Sequence, residues 1–176
     1  MSSDTEDRQI YSGRILSLWV KFVASPDGGR HMREIVEHRP GAAAVALDSE
    51  HRVLLVRQPR PAVNADVLEL PAGLMDPGER PLDTARRELQ EETGFVAARL
   101  EPLVAFYTSP GFTDELVHIF AAFDLREDIV KHDEEEQIEL VRLPLDEAID
   151  RVMRGEISDA KTVTGLIAYE DRFSSR

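Results

Sequence analysis

The chain predicts a mixed fold of α/β composition and α+β type, a mixed sheet with helices packed on it. Short runs rich in β-forming residues are separated by turn signals. Three stretches carry helical periodicity. These segments do not follow a regular strand–helix–strand alternation.

The elements follow in chain order. Ile10 to Glu37 reads as strands, with the β-formers of Arg14–Val23 ahead of the turn Ser25-Pro-Asp-Gly-Gly29 and His31–His38 behind it, a hairpin. Pro40-Gly41 punctuates the chain, so residues 1–40 are expected as an N-terminal antiparallel strand subdomain and residues 41–176 as the main domain. Ala42–Leu47, apolar throughout, is expected to be buried on both faces and to form a second hairpin with Arg52–Val56 across Asp48-Ser-Glu-His51. Val67–Leu70 is a short strand. A helix spans Pro81 to Thr93, with Gly94 as its stop. Leu103–Tyr107, Leu116–Phe123 and Ile138–Leu143 are strands, and Leu145–Arg154 and Ala160–Asp171 are amphipathic helices.

Composition narrows the function classes. The net charge of −13 makes binding to nucleic acid or an anionic membrane unfavourable. No apolar run approaches the roughly 18 residues of a membrane span. The absence of cysteine removes disulfides, thiolate zinc sites and cysteine nucleophiles. His31, His38, His51, His118 and His132 show no zinc spacing. The polar, acidic opening residues predict no secretory signal, and a cytoplasmic protein is expected.

The central helix concentrates charge. At about 100° per residue, Leu82, Ala85 and Leu89 form the stripe that meets the core. Glu88 and Glu92 flank that stripe one turn apart, and Glu91 lies beside Arg87. Such a helix is ordinarily a solvated face. Two carboxylates at the edge of a buried stripe repel unless a cation joins them, and a hard divalent ion takes oxygen ligands of this kind.

The spacing decides between these readings. Gly73, Glu79, Arg87, Glu88, Leu89, Glu91, Glu92, Gly94 and Phe95 fit G-x5-E-x7-R-E-U-x-E-E-x-G-U, with U apolar. The chain thus resembles the Nudix hydrolase family, whose fold is an α/β/α sandwich. The resemblance implies hydrolysis of a nucleoside diphosphate linked to a further group, with Mg²⁺ as cofactor and Mn²⁺ or Zn²⁺ as substitutes. It implies metal ligands at Glu88, Glu92 and the carbonyl of Ala72. Glu91 is either a ligand or an orienting partner of Arg87. Gly73, Glu79 and Arg87 are implied as structural members of the box.

Tyr107-Thr-Ser-Pro-Gly111, with Pro110 sixteen residues after Gly94, and then Thr113-Asp-Glu115, resemble the ADP-ribose pyrophosphatase branch, although Ser-Pro-Gly is also an ordinary turn. That likeness implies cleavage of ADP-ribose to AMP and ribose 5-phosphate, with hydrolysis of another nucleoside diphosphate sugar, or regulatory binding of ADP-ribose without cleavage, as the alternatives. It implies phosphate contact by Arg60, with Arg57 as fallback, and adenine contact by Arg33 and Glu34. Ser109 and Glu115 are implied at the terminal ribose or its phosphate. Within the acidic loop, Glu136 is implied as the catalytic base, with Glu134 second. A domain-swapped homodimer is implied as well. Trp19 is a candidate to stack on a base, although a lone tryptophan in an apolar strand is more often core or dimer interface.

Overall fold

The computed structural model describes residues 6–26, 28–128 and 138–173. The chain divides into two compact units. The first comprises the described residues up to Pro40 together with Tyr107–Leu116. Strands β1 (Arg8–Ser12), β2 (Leu16–Ala24) and β3 (Arg30–His38) form an antiparallel sheet in that order. Register runs from Leu16↔His38 to Ala24↔Arg30. The β2–β3 turn places Gly28 at φ 85°, a left-handed conformation that glycine adopts at no steric cost. The Tyr107–Leu116 segment joins this sheet, because the Val36 N–H donates to Phe112 O at 2.7 Å and the His38 N–H to Asp114 Oδ1 at 2.8 Å.

The second unit holds the remaining elements, apart from the end residues Tyr107 and Leu116 of two of its strands. They are β4 (Gly41–Ala46), β5 (Arg52–Arg60), β6 (Ala65–Glu69), β7 (Ala72–Leu74), α1 (Pro81–Thr93) and β8 (Phe95–Tyr107). Then come β9 (Leu116–Glu127), β10 (Glu139–Pro144), α2 (Leu145–Met153) and α3 (Ala160–Phe173). One sheet has the order β7-β4-β9-β8, with β4 parallel to β9 and antiparallel to β7. The other, β10-β5-β6, is antiparallel.

Strand β4 explains the layering. Its side chains alternate between two cores, as the period of a strand requires. Ala42, Ala44 and Ala46 pack with Ala85 and Leu89 of α1. Ala43 and Val45 pack with Ala148, Leu166 and Tyr169 of α2 and α3. This is the expected α/β/α arrangement, and β4 is buried on both faces. Each fully buried Val or Leu contributes about 1.5–3 kcal/mol, so these two cores dominate the stability of this unit. The first unit, by contrast, buries only Val20 among its described apolar residues, and that not fully. Among the described residues, no helix is long and apolar enough to cross a membrane.

One expectation fails. β4 and β5 do not form a hairpin, because they lie in different sheets and share no ladder beyond the isolated bridge Leu47↔Val53. The turn itself is real: the Asp48 N–H donates to Arg52 O at 2.9 Å, and His51 takes φ 57°. Both edges of β4 are occupied, by β7 and β9, so no edge remains for β5.

Helix α3 is tied to the chain entering the box. Asp159 caps it, accepting from the Thr162 N–H at 3.0 Å and the Thr162 hydroxyl at 2.6 Å. Thr162 Oγ1 in turn accepts the buried Leu70 N–H at 2.8 Å.

Candidate active site

Helix α1 begins with Pro81 in its first turn, where a missing N–H costs nothing. It ends at Gly94, φ 73°, whose N–H returns to Gln90 O at 2.9 Å. Leu82, Ala85 and Leu89 face the core. That orientation fixes where the acids emerge. Glu92 is buried, and its Oε2 accepts the Ala72 N–H at 2.9 Å. Its Oε1 accepts from Gln58 Nε2 of β5 at 3.0 Å.

Glu88 lies against Gly73. A Cβ at position 73 would stand 1.9 Å from Glu88 Oε1, so only glycine admits the carboxylate there. Two box acids thus converge on Ala72–Gly73, the two residues at the start of β7.

Arg87 binds the rest of the box together. Its Nε and Nη2 donate to Glu79 Oε1 and Oε2 at 3.1 and 3.2 Å. Its Nη1 donates to Glu88 Oε1 at 2.6 Å and Glu91 Oε2 at 3.0 Å. Nη2 also reaches Leu74 O at 3.4 Å. Glu79 further accepts the Asp76 N–H at 3.0 Å. The paired guanidinium, then that N–H, lower the Glu79 carboxyl to about 2, so it stays ionised at neutral pH. The Arg87 guanidinium is raised further above its already high ordinary value, chiefly by its bond to Glu79. Glu91, at the outer edge, is half exposed.

The donors suit a hard cation. Glu88, Glu92 and the Ala72 carbonyl offer only oxygen, and a carboxylate has about four acceptor sites, so the bonds above leave capacity. Among the described residues no cluster of three or more His, Asp or Glu has metal-holding geometry. Two carboxylates and a carbonyl still match an ion such as Mg²⁺ that keeps several waters.

A second cluster lies at the far end of β5. Arg60 grips the buried Glu69 through Nε–Oε1 at 2.6 Å and Nη2–Oε2 at 2.8 Å. Lys161 of α3 also pairs with Glu69 Oε2, and lies 3.1 Å from Asp159 Oδ1. Burial pushes the Glu69 carboxyl up, but Arg60 and Lys161 outweigh it and hold it below the usual range. Arg60, Glu69, Asp159 and Lys161 line a cavity of about 570 Å³ with an apolar wall that includes Ala62, Val63 and Val67. Arg57 points elsewhere, pairing with Glu139 of the neighbouring strand at 3.1 Å.

Sequence reading missed Gln58, Glu69 and Lys161. One signal was present: Glu69 is the lone charge in Val67-Leu-Glu-Leu70, and a charge inside an apolar strand needs a partner.

The remaining candidates lie in the first unit. Arg33 and Glu34 are exposed on β3, and Arg33 Nη1 donates to Met32 O at 2.8 Å. Glu115 accepts from Thr108 Oγ1 at 2.7 Å and lies 3.3 Å from His38 Nδ1. Ser109 turns the loop, its carbonyl accepting from the Phe112 and Thr113 N–H groups at 3.1 and 3.0 Å. Trp19 is largely buried in β2, with its indole N–H unpaired. Glu134 and Glu136 lie outside the described residues.

A family profile for the NUDIX domain matches residues 37–165. The chain belongs to the Nudix family. The ADP-ribose pyrophosphatase of Bacillus subtilis is 45% identical over 161 residues, spanning 90% of this chain and 86% of that protein. The methanol dehydrogenase activator of Bacillus methanolicus is 41% identical over 160 residues, with 90% and 86% covered. A solved structure of an ADP compounds hydrolase superposes with a TM-score of 0.84 at 25% identity, covering 94% of this chain and 90% of that one. Nudix hydrolases generally need divalent metal ions, in keeping with the all-oxygen donor set of this Nudix box.

Proposed function

We propose that this Nudix hydrolase cleaves the pyrophosphate of ADP-ribose with one water, giving AMP and ribose 5-phosphate. The observation that carries the reading is the extended similarity to an ADP-ribose pyrophosphatase, joined to a box in which every acid is present.

Glu88, Glu92 and the Ala72 carbonyl would hold Mg²⁺, with Glu91 either assisting or steering Arg87. When bound, the cation supplies Lewis acidity and offsets the negative charge of the pyrophosphate. Arg60 binds the pyrophosphate, for which a guanidinium fork is well matched. Glu136, or Glu134 as the alternative, takes the proton from the water that attacks the adenosyl-side phosphorus. Arg33 and Glu34 serve the adenine, and Ser109 and Glu115 the terminal ribose or its phosphate.

The test is product identification after incubation with ADP-ribose and Mg²⁺. AMP and ribose 5-phosphate in equal amounts are expected, with chelation stopping the reaction. Glu136→Gln should lower kcat more than it raises KM. If Glu134→Gln does so instead, the base moves two residues. ADP-ribose that binds without turnover would make the chain a sensor rather than an enzyme.

We also infer a homodimer, formed by exchange of the N-terminal strands. Ile10, Tyr11, Ile15, Val23 and Met32 leave apolar surface exposed on the first unit, and a small sheet of this kind gains stability by being covered. Light scattering should give twice the chain mass of 19.8 kDa. A monomer at micromolar concentration would contradict the exchange.

A further inference from the structure

Glu69 is only 4% exposed, yet it carries two cations. The two are held differently. Lys161 is 16% exposed and is also tied to Asp159, whose other oxygen caps α3. It is therefore part of the fixed frame. Arg60 is 45% exposed, stands at the last residue of β5 and borders the 570 Å³ cavity. It has room to move, while the carboxylate beneath it does not.

An anionic diphosphate would compete with Glu69 for that guanidinium. Were Arg60 the sole partner, its departure would leave a buried carboxylate unpaired, a heavily penalised state. We propose that Lys161 is a positioning residue that keeps Glu69 paired while Arg60 transfers to the pyrophosphate of the substrate. Arg60 is then a releasable arm and Lys161 its fixed counterweight. The proposal rests on the reading that Arg60 meets the pyrophosphate, and extends it to a residue about a hundred positions away on α3.

The experiment is steady-state kinetics with ADP-ribose and Mg²⁺ on the full chain. Arg60→Ala is expected to raise KM about tenfold or more, and Lys161→Met to raise it about tenfold with a smaller fall in kcat. Adding Glu69→Gln to Lys161→Met removes the carboxylate that traps Arg60, and is expected to return KM to within about threefold of the wild-type value. This neutral pair also guards against a misfolded single variant. If Arg60→Ala raises KM but Lys161→Met does not, the proposal is overturned while the role of Arg60 stands. If the double variant keeps the raised KM, Lys161 acts directly or only structurally, and the proposal is again overturned. If Arg60→Ala leaves KM unchanged, the reading of Arg60 fails and takes the proposal with it.

Discussion

Glu92→Gln is expected to lower kcat by about two to three orders of magnitude, the scale seen when one positioned electrostatic group leaves an active site. Glu92 is buried at the meeting point of three elements. It takes the Ala72 N–H of β7 on one oxygen and the Gln58 amide of β5 on the other. An amide fits the same volume but turns one acceptor into a donor, so one of these donors meets another. The charge that suits a cation is lost as well. The stability cost should be about 1–3 kcal/mol, that of one buried polar mismatch. Turnover and thermal melting measured together check this. A correctly folded variant with undiminished kcat would remove Glu92 from the metal site.

Gly73→Ala is expected to separate activity from stability more sharply. The new methyl would overlap the Glu88 carboxylate, with Oε1 at 1.9 Å and Cδ at 2.2 Å. The obstructing group is the end of a flexible side chain, so Glu88 swings aside and the fold survives. The stability cost should be at most about 1 kcal/mol, the low end for an overpacked site. Turnover should nonetheless fall by about two orders of magnitude, since Glu88 leaves the place where it faces Ala72–Gly73 and its bond to Arg87. A variant that melts normally and turns over normally would show that the position of Glu88 does not matter for catalysis.

Helix α1 could be read from sequence to the residue because local chemistry sets both its ends. Pro81 suits a first turn and Gly94 a left-handed cap, and the stripe Leu82, Ala85, Leu89 has helical spacing. That Glu79 and Arg87 are structural members of the box was also legible, since both lie within one short motif, and the two do pair. What escaped depends on partners distant in the chain. Lys161 meets Glu69 across 92 positions, and no local pattern announces that contact. Strand β7 is three residues long and reads as loop between Pro71 and Pro77, because it exists only through backbone pairing to β4. The expected β4–β5 hairpin failed for a similar reason. Its turn is encoded locally, but strand partnership was settled by β9, some seventy residues later.

The most direct test of the account compares kcat/KM for ADP-ribose, GDP-mannose, UDP-glucose and NADH, each with Mg²⁺ and with products identified. A clear preference for ADP-ribose is expected, yielding AMP and ribose 5-phosphate. Preference for a hexose-linked substrate would contradict it, leaving the chemistry of the box in place but removing ADP-ribose as the substrate.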